Sequence, residues 1–116
     1  MKRLLRSFKY AGKGLITYLK SGGNVPVHLI SYGILLTLGF YLGVSKLEWC
    51  VLHICVAMVF SAEAFNTAIE EIVNFVSPSL NVKAGEIKDI SAAAVLITAI
   101  FSCIIALIIF LPYFKQ

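Results

Sequence analysis

Apolar residues fill three long segments of this chain, at roughly residues 28–45, 47–62 and 90–113. Each segment approaches the ~20 residues that an α-helix needs to cross the hydrocarbon core of a bilayer. The second segment reaches that length only by continuing into an acidic stretch, so its helix should run past one membrane face. We therefore predict membrane helices at about residues 27–45, 47–76 and 90–113.

The first 20 residues follow a different pattern, in which apolar and basic positions alternate at helical spacing. Leu4 and Phe8 recur on one side of the predicted helix, and Lys9 and Lys13 recur on the other. A helix with one basic and one apolar face lies in the plane of the membrane interface. Basic residues interrupt the whole stretch, unlike the continuous apolar run of a cleaved signal peptide. We therefore expect a retained interfacial helix over residues 1–20.

Turn-forming residues separate the predicted helices. A Gly-Gly pair breaks the chain before Pro26, which suits the first turn of a new helix because that position needs no N–H donor. Pro78 should end the second membrane helix, since the residue before a proline avoids helical backbone angles. Residues 77–89 then form the one predicted loop, and Asp89 or Ser91 is the expected N-cap of the last helix.

The composition agrees with this pattern and adds an orientation. Hydrophobic residues make up 59% of the 116 residues, and the mean hydropathy is +0.91, far above that of ordinary soluble domains. Of the ten basic residues, eight lie in the first 20 residues or in the predicted loop. This bias predicts a cytoplasmic N-terminus and loop, in the inner or plasma membrane. The net charge of +4 suits anionic lipid headgroups rather than nucleic acid.

The sequence thus predicts an all-α membrane protein, with an N-terminal amphipathic surface helix followed by three transmembrane helices. We expect residues 1–116 to form a single domain, because the chain leaves no room for a second one.

Polar residues cluster on one face of the second predicted membrane helix. Glu63, Asn66, Glu70 and Asn74 recur at spacings of three and four residues, which aligns them along that face. Carboxylates at membrane depth are energetically costly and usually mark a functional site. Glu63, Glu70 and Asp89 are predicted to lie at the membrane face that also carries the basic residues.

Three uses of the carboxylates remain open on this pattern. They could bind a divalent cation through their oxygens. One of them could act as a general base, since partial burial raises a carboxyl pKa toward neutrality. They could also pair with lysines and only fix the packing of the helices.

A cation site beside lysines and arginines would suit phosphoryl transfer, which needs positioning and charge neutralisation. An ATP-using membrane enzyme is therefore one hypothesis, and a small channel or a scaffold is another. A channel needs polar residues through the depth of a span. Away from the acidic end, the predicted spans offer only His53, Thr98 and Ser102.

Two linked motifs resemble a known family. Residues 63–70, EAFNTAIE, are similar to the E-x-x-N-[ST]-A-I-E signature of the prokaryotic diacylglycerol kinase family. Lys88-Asp89 with the following SAAAVL run resembles that family's second block, and Tyr10 with the nearby KGL run resembles its surface helix. The resemblance covers nearly the whole chain. It implies a homotrimer with active sites between subunits, which transfers the γ-phosphate of MgATP to the hydroxyl of diacylglycerol or undecaprenol.

The resemblance also implies roles for individual residues. Glu63 would be the catalytic base on the lipid hydroxyl, Asn66 would orient the site, and Glu70 would hold Mg²⁺ with the nucleotide. Lys88 would contact the nucleotide phosphates. The full set of implied nucleotide contacts is Arg3, Tyr10, Glu70, Ser79, Leu80, Asn81, Lys88 and Asp89.

Two positions depart from the family pattern. Gly22 stands where the family carries a glutamate that binds the metal, and Asn74 stands where it carries an aspartate. The Mg²⁺ site would therefore have one carboxylate fewer. The alternative hypothesis is a catalytically impaired relative that serves as a membrane scaffold or a nucleotide-binding protein.

Overall fold

Four α-helices make up this computed structural model, which describes residues 1–79 and 81–115. The all-α prediction is confirmed, and three of the helices are long and apolar enough to cross a membrane. The first helix is amphipathic and precedes these candidate spans, as predicted. The helices are α1 (Lys2–Lys20), α2 (Val25–Leu42), α3 (Lys46–Val76) and α4 (Val82–Phe114).

The turn between α1 and α2 depends on glycine. Gly22 and Gly23 have φ angles of 84° and 55°, in the left-handed region that side chains with a Cβ rarely adopt. Pro26 follows in the first turn of α2, as its missing N–H predicts. This turn places the end of α1 and the start of α2 beside the middle of α3.

The connection between α2 and α3 is short and well capped. Gly43 ends α2 with φ 68°, and its N–H donates to the carbonyl of Gly39. Ser45 caps α3, because its hydroxyl accepts from the N–H of Glu48 while the Glu48 carboxylate accepts from the N–H of Ser45. A Cβ on Gly39 would overlap the Trp49 ring, so glycine permits the close approach of these two helices.

The predicted start of the last helix was wrong by about two turns. The α4 helix begins at Val82, so the connection after α3 covers only residues 77–81. Neither Asp89 nor Ser91 is the N-cap. The cap is Asn81, whose side-chain oxygen accepts from the backbone N–H groups of Lys83 and Ala84 at 2.8 and 3.3 Å. This cap starts a polar extension of α4 that carries Lys88 alongside the polar end of α3.

A small apolar core lies at the end of the bundle remote from Glu63. Val44, Leu52, Ile109 and Phe110 are buried together there, and the Tyr113 hydroxyl donates to the Glu48 carboxylate. Elsewhere the helices expose many large apolar side chains along their outer faces. Exposed apolar surface of this extent is suited to lipid rather than to water.

Candidate functional site

Glu63 is buried where α3 meets the turn between α1 and α2, with only 4% of its surface exposed. The Nε2 atom of His28, in the first turn of α2, lies 3.7 Å from Glu63 Oε2. The backbone of Gly23 passes beside the other carboxylate oxygen, since a Cβ at Gly23 would lie 3.8 Å from Glu63 Oε1. Glu63, the predicted base, is therefore flanked by Gly23 of the α1–α2 turn and by His28 of α2.

Tyr18, the buried residue of α1, lies close enough to Glu63 to be affected by its charge. Burial, followed by the negative charge of Glu63, raises the pKa of its hydroxyl, so Tyr18 remains a neutral hydrogen-bond donor at physiological pH. Within the described residues, the hydroxyl of Tyr18, His28 Nε2 and Glu63 Oε2 are the buried side-chain atoms without a hydrogen-bond partner. Each such atom costs about 1–3 kcal/mol when nothing binds it, which favours the binding of a polar group beside these side chains.

A second group of polar contacts joins α3 to α4. The Ser91 hydroxyl donates to Asn66 Oδ1 at 2.5 Å, and Lys88 Nζ donates to Asn74 Oδ1 at the same distance. Two of the predicted residues, Asn66 and Lys88, are thereby fixed on facing sides of the α3–α4 contact. Because Asn74 is an amide, Lys88 gains a positioned hydrogen bond while its positive charge stays unneutralised.

Glu70 lies half-buried on the same face of α3, one helical turn from both Asn66 and Asn74. In the part of the chain that the structure describes, Lys83 forms an ion pair with Glu86, and the His28 ring lies within 4 Å of the Glu63 carboxylate. Neither Glu70 nor Asp89 is paired with a lysine there. Ion pairing within the chain, the third use left open by the sequence, therefore does not account for these two acids.

The described residues hold no group of three or more His, Cys, Asp or Glu side chains that could bind a metal by itself. The position of Gly22 is open, since a Cβ there would meet nothing within 4 Å. Mg²⁺ commonly takes one or two protein carboxylates and completes its shell with substrate phosphates and water. A Mg²⁺ ion that arrives with a nucleotide is compatible with the single half-buried carboxylate of Glu70.

Arg3 and Tyr10 are exposed on α1, away from Glu63. Along the helix, Arg3 precedes Tyr18 by about 22 Å and Tyr10 precedes it by about 12 Å, at 1.5 Å per residue. Lys13 lies over the Tyr10 ring, with Nζ 5.8 Å from the ring centre. Within one chain, these two predicted residues are therefore not brought next to the buried base.

The predicted contacts in the α3–α4 connection are only partly described. The Ser79 carbonyl accepts a 3.4 Å hydrogen bond from Ser77, and the Asn81 side chain is occupied in capping α4. Leu80 lies outside the described residues. Asp89 is exposed on α4, one residue after Lys88.

An apolar cavity of about 350 Å³ lies between α2, α3 and α4. His28 and Phe60 close its polar end, with their ring centres 5.9 Å apart in an edge-on arrangement. The cavity continues past Cys103 to Phe110, near the apolar core. His28 therefore contacts both the cavity and the carboxylate of Glu63.

Tyr18, Gly23 and His28 were not predicted as site residues. The Nε2 atom of His28 is buried against Glu63. The sequence contained one indication of this contact: His28 and Glu63 are both predicted to lie near the same membrane face. Nothing in the pattern of α1 distinguishes Tyr18 from its neighbours.

Three candidate spans with a buried carboxylate and a positioned lysine at one end define a small multi-pass membrane protein with an acidic polar site. The sequence pattern of the prokaryotic diacylglycerol kinase family matches residues 9–110. The chain belongs to this family of membrane lipid kinases, which confirms the resemblance seen in its motifs.

Named relatives extend the match over nearly the whole chain. The undecaprenol kinase of Bacillus subtilis is 35% identical over 112 residues, which cover 97% of this chain and 91% of that protein. The diacylglycerol kinase of Haemophilus influenzae is 28% identical over 108 residues, covering 93% and 89%. The diacylglycerol kinase of Synechocystis sp. is 31% identical over 110 residues, covering 94% of this chain and 63% of that protein.

Proposed function

We propose that this chain transfers the γ-phosphate of MgATP to the hydroxyl of a membrane lipid, with Glu63 as general base. One observation carries the proposal: a buried carboxylate oxygen without a partner lies beside the polar end of an apolar cavity. The apolar part of a lipid suits the cavity, and its hydroxyl suits the carboxylate.

The proposed step needs one proton transfer and one displacement. The lipid hydroxyl gives its proton to Glu63 Oε2 while its oxygen forms a bond to the γ-phosphorus. The bond between that phosphorus and the bridging oxygen breaks, and ADP leaves with the electron pair. Lys88 offsets negative charge on the phosphates, and Glu70 binds the Mg²⁺ that accompanies the nucleotide. Asn66, held by Ser91, orients the reacting groups.

Undecaprenol is the acceptor that we favour, with diacylglycerol as the alternative. The undecaprenol kinase of Bacillus subtilis is 35% identical to this chain, against 28% and 31% for the two diacylglycerol kinases. All three alignments span at least 93% of this chain. The residues at positions 63–70 and the VSP run at the end of α3 also resemble the family members that phosphorylate undecaprenol.

The remaining nucleotide contacts are proposed to come from a homotrimer with shared sites. Arg3 and Tyr10 lie too far along α1 to reach Glu63 of their own chain easily, so we assign them to a neighbouring site. Asp89 and the backbone of residues 79–81 would contact the nucleotide. The positive-inside bias supports a cytoplasmic location for this end of the bundle and the N-terminus, where ATP is available.

A second candidate function is a nucleotide-binding scaffold without turnover. Gly22 favours it, because the glutamate that the family uses as a metal ligand is absent and its place is open. Phosphate transfer to lipid and binding of MgATP, measured separately, distinguish the two candidate functions. A scaffold binds MgATP but phosphorylates neither lipid.

The test is Mg²⁺-dependent transfer of labelled phosphate in vesicles that contain undecaprenol or diacylglycerol. We expect label in the lipid, and a loss of about 100-fold or more in Glu63→Gln, since a general base contributes at least that factor. Glu71→Gln is the matched control because Glu71 is exposed on α3 and should be dispensable. Folded wild-type protein that labels neither lipid would refute the proposed function.

A further inference from the structure

Three helices each contribute one polar side chain with a buried atom to the surroundings of Glu63. Tyr18 comes from α1, His28 from α2 and Glu63 from α3, and each has an atom without a partner within the described residues. Such atoms are normally hydrogen-bonded in folded proteins. His28 Nε2 lies 3.7 Å from Glu63 Oε2, and burial followed by the charge of the nearby Glu63 raises the pKa of the Tyr18 hydroxyl, so a polar group beside Glu63 could satisfy these atoms.

Resting on the proposed function, we infer that His28 binds the oxygen of the acceptor hydroxyl beside Glu63, with Tyr18 as a second donor in the pocket. His28 is then a catalytic residue that the motif of the family does not include. The ligand class is a primary or allylic lipid alcohol whose apolar part lies in the cavity that His28 also lines.

The distance between the two groups supports this assignment. At 3.7 Å, His28 Nε2 and Glu63 Oε2 are too far apart for a direct hydrogen bond, which spans about 2.7–3.2 Å. A single oxygen atom can lie within hydrogen-bond reach of both. The N–H of His28 Nε2 then donates to that oxygen, and the hydroxyl proton points at the carboxylate.

The arrangement is suited to the proton transfer itself. As the hydroxyl proton moves to Glu63 Oε2, negative charge develops on the oxygen that attacks phosphorus. A fixed N–H donor aimed at that oxygen stabilises the charge without having to reorient. His28 and Tyr18 keep their own protons throughout, and the transferred proton ends on Glu63.

His53 shows what a structural histidine looks like in the same protein. Its Nδ1 atom is hydrogen-bonded to the carbonyl of Trp49, one turn earlier, at 2.9 Å. Its ring packs against Tyr32 and Trp49. His28 has the aromatic contact with Phe60 but lacks such a partner for Nε2, so packing alone does not explain its placement.

The kinetic test compares His28→Leu with His28→Gln and uses His53→Gln as the control. We expect His28→Leu to lower kcat about 100-fold, the usual effect of losing one donor to a developing oxyanion, with the KM for ATP unchanged within about twofold. His28→Gln should recover most of the rate because its amide can donate. His53→Gln should match the wild type. Full activity in His28→Leu, or a change confined to the KM for ATP, would overturn the inference.

A second measurement works without turnover. The imidazole NMR signals of the full-length wild-type protein in micelles are followed on adding farnesol or dioctanoylglycerol, each compared with the same molecule lacking its hydroxyl. We expect a hydroxyl lipid to shift the His28 signal, its deoxy partner to leave that signal in place, and His53 to remain unmoved.

The two measurements separate the two claims. A shifted His28 signal without phosphorylation of any lipid supports the inference and refutes the proposed function. Phosphorylation in which neither lipid shifts His28 overturns the inference and supports the proposed function. Absence of both overturns both.

Discussion

Gly22 illustrates how one residue can be favoured by the backbone and unfavourable for the chemistry. Its φ of 84° is readily adopted by glycine, while a residue with a Cβ pays about 1–2 kcal/mol there. The site nevertheless has room for a longer side chain at this position. Backbone geometry and metal binding therefore make opposite demands on residue 22.

This conflict predicts the behaviour of Gly22→Glu. The added carboxylate should lower the Mg²⁺ concentration needed for half-maximal activity several-fold, while the strained φ lowers the free energy of unfolding by about 1–2 kcal/mol. Gly22→Gln carries the same strain without the charge and serves as the control. Mg²⁺ titrations and denaturation curves of both variants give the answer. Equal Mg²⁺ dependence in the two would show that position 22 does not reach the metal.

At the scale of elements, the polar extension of α4 positions Lys88 and Asp89. Half of the residues in its two extra turns are charged and one is Gly85, so these turns lack the continuous apolar run that predicted the spans. Asn81 lies in the predicted loop, and asparagine suits both tight turns and helix N-caps, so its residue type alone did not reveal the cap. Tertiary contact then stabilises the extension, through the hydrogen bond from Lys88 to Asn74.

The cap gives a prediction for Asn81. Asn81→Ala removes both side-chain hydrogen bonds to the first turn and should destabilise it by about 0.5–2 kcal/mol. Hydrogen exchange over residues 83–88 should accelerate accordingly. Asn81→Asp keeps an acceptor at the cap and should leave the exchange rates close to those of the wild type. Equally fast exchange in both variants would mean that the cap does not hold this extension.

The arrangement of the helices also explains which parts of the fold and the site could be predicted from the sequence. Apolar length alone located the three spans, and the spacing of Glu63, Asn66, Glu70 and Asn74 located one face of the site. The side chains near Glu63 include Tyr18 and His28, which belong to two other helices. Their contact depends on the angle of the turn at Gly22 and Gly23, and side-chain spacing along one helix carries no information about that angle.

At the scale of the whole molecule, the cavity between α2, α3 and α4 links the apolar interior of the bundle to the polar end. Cys103 lines it and is also exposed, whereas Cys50 is exposed and does not line it. The reactivity of Cys103 can therefore report whether the cavity is occupied, with Cys50 as the reference in the same protein.

Undecaprenol should protect Cys103 from a membrane-permeant maleimide, slowing its modification several-fold. The rate at Cys50 should stay the same, and peptide mass spectrometry measures both sites in one sample. Equal rates at Cys103 with and without the lipid would place the lipid chain elsewhere.

The two ends of the bundle are built differently. Opposite the site, the Ser45–Glu48 box, the close approach of Gly39 to Trp49 and the Tyr113–Glu48 bond tie three helices together. At the site end, three buried polar atoms of the described residues have no hydrogen-bond partner. We therefore expect the site end to adjust more readily than the tied end when lipid and nucleotide bind.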